Sequence, residues 1–258
     1  MDFSTITYEM NEIGLLTITL NRPEKMNAVS KGMVKELKEA FEQAKQEENL
    51  KCLVLTGAGE RAFCSGGDLH DFHGEMSAGE AFQMLYPMKE VVYQLASFPL
   101  PTIALLNGQA RGGGCEIATA CDFRYAVNGS SFGFIQGKLG IAPGWGGGAL
   151  LYEKIRPELA FKWLAESTMY TTEKAFQVGW VHEVIESSQM NEAALLLKDL
   201  LNKSITQLRA WKHQYNQRLS ILSLSSMMDE EVRVCSKLWE SEEHKRAVRT
   251  FMENRKEK

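Results

Sequence analysis

The chain has 258 residues, 44% of them hydrophobic and 24% charged, with 21 Gly and 6 Pro. A chain of this length buries most of its unfolded surface without a disulfide or metal staple, and the composition excludes a collagen-like, low-complexity or largely disordered protein. The net charge of −4 leaves no basic excess for a phosphodiester backbone, so nucleic acid is not expected as a partner. No apolar run approaches the length of a membrane span: the segment from Phe98 to Leu106 is short and holds two prolines. The opening MDFSTITYEMNE lacks the apolar stretch of a signal peptide. Cys52, Cys64, Cys115, Cys121 and Cys235 are odd in number and form no CxxC pair. They read as free thiols in a reducing, cytoplasmic compartment, with no spacing that suits a metal.

Taken in chain order, Ile6, Tyr8 and Met10 alternate, and Leu16, Ile18 and Leu20 follow after the turn residues Asn11 to Gly14, which predicts a β-hairpin. Asn21-Arg22-Pro23 ends the second strand. Ser30 precedes Met33, Leu37, Phe41 and Ala44, the pattern of a capped amphipathic helix. Cys52–Thr56 is a buried strand, residues 57–62 a loop, and Glu80–Leu95 a helix. Pro101–Leu106 is a second buried strand, Gly112–Ala120 a glycine-led helix, and Phe123–Val127 a third strand. Alternation of strand and helix predicts an α/β fold with a mainly parallel sheet. From Gly144 onward the pattern is helical, over 172–178, 190–201, 204–216, 224–239 and 241–254. The chain therefore divides into a core over 1–192 and a helical C-terminal domain over 193–258.

Three glycine clusters carry chemical information. They are Ala62-Phe63-Cys64-Ser65-Gly66-Gly67-Asp68-Leu69, Asn107-Gly108-Gln109-Ala110-Arg111-Gly112-Gly113-Gly114-Cys115-Glu116, and Gly144-Trp145-Gly146-Gly147-Gly148. The first two each follow a strand, and the second opens a helix. Glycines let a backbone turn tightly and approach a ligand, and a helix start adds unpaired N–H groups. Two such turns facing each other would aim two N–H groups at one developing oxyanion. Alone, each cluster is equally a tight turn or a close packing contact. No GK[ST] ending and no acidic strand end complete a nucleotide-binding motif. Glu116 either complements the helix dipole or moves a proton. Asp68 and Asp122 read as braces of the turn and the sheet, and His73 as a solvated loop side chain.

AFCSGGDL, NGQARGGGCEIATACDFRYA and FGFIQGKLGIAPGWGG, in this order and spacing, resemble the crotonase superfamily, the enoyl-CoA hydratase/isomerase family. TITLNRPEKMNAVS resembles that family's first strand and CoA-contacting turn. The resemblance implies a core of repeated ββα units in a spiral, a helical C-terminal domain, and assembly as a homotrimer or a dimer of trimers. Leu195, Leu196, Leu200 and Leu201 offer apolar faces for such assembly. It implies an acyl-CoA substrate, with CoA entering as part of the substrate, no separate cofactor and no metal. The thioester enolate would be held by the backbone N–H groups of Ser65 and Gly113, with Glu116 as catalytic acid or base. Cys64, Gly66, Gly67, Asp68, Leu69, Gly112 and Trp145 would surround the acyl group. Lys25, Met26 and Ala28, beside Arg22, would contact CoA. Phe251 and Lys256 resemble a segment that reaches a neighbouring subunit's CoA in relatives. One position departs from the pattern: hydratases carry a second glutamate where this chain has Gln136, and an amide cannot titrate. Expectation therefore divides between hydratase/isomerase chemistry with one glutamate and decarboxylation of a methyl- or ethylmalonyl-type thioester, which makes the enolate without a base. A non-catalytic acyl-CoA-binding or RNA-binding member of the fold is the remaining alternative.

Overall fold

The computed structural model describes residues 3–72, 76–218 and 221–256. His73 lies outside them, and so do the side chains of Leu69 and Lys256.

Strands β1 (Ile6–Met10) and β2 (Leu15–Leu20) form the expected antiparallel hairpin, with Ile6 opposite Leu20 and Met10 opposite Leu16. Helix α1 (Lys31–Gln46) begins at Ser30, whose hydroxyl accepts the Met33 N–H, and it buries Met33, Leu37, Phe41 and Ala44. Then follow β3 (Cys52–Gly57), β4 (Ala62–Cys64), α2 (Leu69–Phe72), α3 (Ala78–Ala96), β5 (Thr102–Leu106), β6 (Gln109–Arg111), α4 (Gly113–Ala120), β7 (Phe123–Val127) and β8 (Ser131–Gly133). A 3-10 turn, Gln136–Leu139, leads to α5 (Gly147–Lys154), α6 (Pro157–Glu166), β9 (Tyr170–Thr171), α7 (Thr172–Gln177) and β10 (Glu183–Ile185). After a further 3-10 turn, Ser187–Glu192, come α8 (Ala193–Leu196), α9 (Lys198–Leu201), α10 (Ile205–Arg218), α11 (Ile221–Trp239) and α12 (Glu242–Lys256).

Six strands make the main sheet in the order β1-β2-β3-β5-β7-β10, parallel from β2 onward. Alternation along its strands sends Leu16, Leu53, Leu55 and Leu106 to one core and Leu15, Val54, Ile103 and Leu105 to another. Both faces are therefore covered, as a parallel sheet requires. A smaller sheet, β4-β6-β8-β9, pairs its first three strands in parallel. The chain repeats one step three times: a main-sheet strand, a three-residue strand of the small sheet, then a helical segment. Because β4, β6 and β8 are parallel neighbours, the residues that follow each of them emerge at one common edge.

Three expectations need correction. The C-terminal half is not wholly helical: β9 pairs with β8, and β10 extends the main sheet beside β7. Strands of two or three residues are too short to show a period of two. The helix expected over 190–201 is a 3-10 turn followed by α8 and α9, broken at Leu197 with φ −103° and ψ 13°. Of the leucines read as an assembly face, Leu201 is buried against the outer face of the main sheet, with Leu196 and Leu200 packed beside it. Leu195 alone is exposed, at 62%.

Candidate active site

The three emerging segments line a cleft of about 1550 Å³. After β4, the carbonyl of Gly66 accepts the Val29 N–H (2.8 Å) and the Asp68 N–H donates to the Val29 carbonyl (2.8 Å). This ties the turn to residues 26–29. The tie is reinforced by an ion pair between Arg22 and Asp68, 2.7 Å, and by the second Arg22 nitrogen on the Ala28 carbonyl, 2.7 Å. Asp68 thus braces the turn. Asn27, fully buried, donates to the carbonyls of Ala58 (3.0 Å) and Ala62 (2.7 Å). Lys25, Met26 and Ala28 reach the cleft wall from this bend.

After β6, Gly112 turns at φ 52° and ψ −117°, a conformation open to glycine. Gly113 is the first residue of α4, so its N–H has no intrahelical acceptor. A Cβ on Gly114 would stand 2.1 Å from the Cys64 carbonyl oxygen, so this position is glycine because α4 starts in contact with β4. A Cβ on Gly66 would stand 3.4 Å from the Gly113 nitrogen, which measures how closely the two turns face each other.

The donors differ from those expected. The Ser65 N–H is already committed to the Met26 carbonyl at 3.1 Å. On the two facing turns, the cleft-lining N–H groups without a partner among the described residues are those of Gly67 and Gly113. Cys64 is also corrected: it is fully buried and off the cleft wall, and burial pushes its thiol up to about 12.

Glu116 is 2% exposed and holds four hydrogen bonds. Its Oε1 accepts from Gln136 Nε2 (2.9 Å) and the Gly144 N–H (3.4 Å). Its Oε2 accepts from the N–H groups of Trp145 (2.8 Å) and Gly147 (3.0 Å). Burial raises its carboxyl above the usual range, and the four donors only partly offset this. Gln136, from the segment after β8, therefore touches Glu116 directly, and its Oε1 has no partner among the described residues. Trp145 covers the start of α4: a Cβ on Gly113 would fall 2.0 Å from its ring. Phe72 packs edge-on against that ring, with centroids 5.8 Å apart.

Phe251 of α12 lines the cleft of its own chain. Arg111, Lys138 and Arg246 stand with Lys25 around the same cleft. Sequence reasoning gave no role to Arg111, Lys138 or Arg246, and it missed Phe72 and Glu231. Phe72 had no motif context. Glu231 of α11 accepts N–H groups from the third glycine cluster. Its signal was an acid within the apolar stripe Leu224, Met228, Val232 and Cys235.

Residues 10–258 match the family model described as enoyl-CoA hydratase/isomerase. The chain belongs to that family, within the crotonase superfamily, and is an enzyme of it. It is 30% identical over 257 residues to a crotonyl-CoA hydratase of Syntrophomonas wolfei subsp. wolfei, covering 99% of this chain and 98% of that protein. An ethylmalonyl-CoA decarboxylase of Xenopus tropicalis is 36% identical over 172 residues, covering 67% of this chain and 57% of that protein. The crystal structure of an enoyl-CoA hydratase from Bacillus halodurans superposes with a TM-score of 0.85 at 25% identity, over 96% of this chain and all of that one. Among the described residues, no helix is long and apolar enough to cross a membrane.

Proposed function

We propose that the protein acts on an acyl-CoA thioester by stabilising its enolate, in chemistry of the enoyl-CoA hydratase/isomerase type with one catalytic glutamate. The observation that carries this reading is the pair of unpartnered N–H groups, Gly67 and Gly113, on facing turns beside buried Glu116. The thioester oxygen takes both N–H groups as charge builds on it, and fixed donors of this kind need no reorganisation. The N–H of Gly67 replaces that of Ser65 because Ser65 donates elsewhere. Glu116 moves the proton at the acyl chain. The free Oε1 of Gln136 suits a hydrogen-bond donor, such as the water of a hydration. Lys25, Arg111, Lys138 and Arg246 supply charge for the phosphates of CoA. CoA arrives with the substrate, and no further cofactor or metal takes part.

A second reading, decarboxylation of a methyl- or ethylmalonyl thioester, is favoured by one observation. Glu116 has all of its acceptor positions filled by four donors, and its neighbour is an amide. Loss of CO₂ yields the enolate without a base, so such a site would suffice. Incubation with crotonyl-CoA, a 3-enoyl-CoA and ethylmalonyl-CoA, with products identified by mass, separates the two. Turnover of none of the three would count against enolate chemistry on this site.

The reading includes a cytoplasmic homotrimer or dimer of trimers, with residues 193–258 as its assembly domain. Exposed Phe161, Phe176, Leu195 and Trp211 support further burial by copies of the chain. Light scattering that finds a monomer at all concentrations would refute this part.

A further inference from the structure

Six consecutive N–H groups, from Gly144 to Ala149, end on two carboxylates. Glu116 of α4 takes those of Gly144, Trp145 and Gly147. Glu231 of α11 takes those of Gly146 (2.8 Å) and Gly148 (3.3 Å) on Oε1 and that of Ala149 (2.6 Å) on Oε2. The loop is threaded between them with no space for a side chain at Gly147 or Gly148. A Cβ on Gly147 would stand 2.3 Å from the Glu116 Cβ, and one on Gly148 would stand 2.7 Å from the Glu231 Oε2. Gly146, at φ +88°, lies against Met228, one turn before Glu231 on α11.

Among the described residues, the pair has no counter-cation. On α3, Lys89 is bound to Asp229 and Glu90. On α5, Lys154 turns to Asp122 and the Tyr215 hydroxyl. On α11 itself the near group is Cys235, whose thiol is raised by burial and by both carboxylates. On α12 and the 136–139 turn, Glu243, Arg246 and Lys138 are exposed around the cleft. The loop N–H groups and the Gln136 amide must therefore hold whatever charge the two carboxylates carry. Two full charges around one loop repel in a poorly solvated site. Glu116, with four donors against three, takes the first charge.

We propose that Glu231 is a positioning residue for Glu116: it fixes the 144–149 loop that orients the Glu116 carboxylate, and it keeps a proton so that Glu116 alone is charged. This rests on the reading of Glu116 as the proton-transfer group. Desolvation and the Glu116 charge together push the Glu231 carboxyl up to about 8, in keeping with that division. The pair titrates as a unit, with its second proton lost above neutrality.

Infrared difference spectra of the whole protein against pH test the arrangement without using activity. The wild type should show a protonated carboxyl at pH 7 that ionises near pH 8. That band should vanish in Glu231→Gln, and its titration should fall by about one unit or more in Glu116→Gln, where the like charge is gone. In the pH profile of kcat, Glu231→Gln should lose the limb near pH 8, a change that a merely structural role would not produce. A band that persists in Glu231→Gln, or a Glu116→Gln titration that does not move, overturns the proposal. If Glu231→Gln fails to fold, the Glu116→Gln titration still decides. If no acyl-CoA is turned over, the proposed function fails while the infrared result stands by itself.

Discussion

Replacing Glu116 with Gln separates its structural work from its chemistry. The carboxylate receives two short hydrogen bonds on Oε2, from Trp145 at 2.8 Å and Gly147 at 3.0 Å. An amide placed with its oxygen at that position keeps both. Its NH₂ then points where Oε1 was, towards Gln136 and the Gly144 N–H. Gln136 can turn its amide and accept with the oxygen that now has no partner. Only the Gly144 bond, the longest at 3.4 Å, is lost. One such loss costs ~1–2 kcal/mol. For a chain of this size that is a fall in Tm of roughly 2–8 °C. Removal of one positioned proton-transfer group lowers a rate by ~10²–10⁴. The variant should thus fold, melt a few degrees lower, and lose hydration or isomerisation by that factor. Thermal unfolding and steady-state kinetics on the substrate identified by mass check both halves. A folded variant within about tenfold of the wild-type rate would refute Glu116 as the proton-transfer group and point to decarboxylation, where the enolate needs no base.

Gln136→Glu places a second carboxylate within reach of the first, so the pair holds a proton; crotonyl-CoA hydration should rise and any malonyl-type decarboxylation should fall, measured side by side. Gly113→Ala sets a methyl 2.0 Å from the Trp145 ring; overpacking of this kind costs ~1–3 kcal/mol, and the displaced donor should lower kcat by ~10²–10³ at an unchanged fold. Asp122→Ala strips the buried partner from Lys212, with Lys154 nearby; it should cost ~3–5 kcal/mol in denaturant unfolding. Stability should also depend on pH with two opposite signs. Burial opposes, but hydrogen bonds from Ser4 and Thr5 prevail in holding the Glu36 carboxyl down at about 2. That contribution is present above the ordinary carboxylate range and is lost as pH falls towards 2; Glu36→Gln should flatten it. Glu231, raised to about 8, binds more protons folded than unfolded, so stability falls as pH rises from the ordinary carboxylate range to about 8. Glu231→Gln should remove that slope, which is at most ~1.4 kcal/mol per pH unit.

The parts of the fold that bury alternating or helical stripes were legible. The β1-β2 hairpin, the Ser30-capped α1 and the buried β3 and β5 stand where the pattern put them. The small sheet was not, because three residues such as Ala62–Cys64 carry no periodicity; its pairing is decided by the helices and turns around it. The glycine turns were legible as turns, since their spacing reflects close backbone approach. Which N–H each turn leaves free was not: Ser65 and Gly67 are two residues apart, and only the bond from Ser65 to Met26 distinguishes them. Glu231 lies more than eighty residues beyond the loop it holds, and nothing local marks it except an acid inside an apolar stripe.

The most direct test of the thioester site is a crystal structure with a non-reactive acyl-CoA bound. The thioester oxygen should lie ~2.7–3.1 Å from both the Gly67 and the Gly113 nitrogens, with Ser65 N–H still on the Met26 carbonyl and the acyl chain against Glu116 and Trp145. A thioester oxygen held by Ser65, or seated away from both turns, would contradict it.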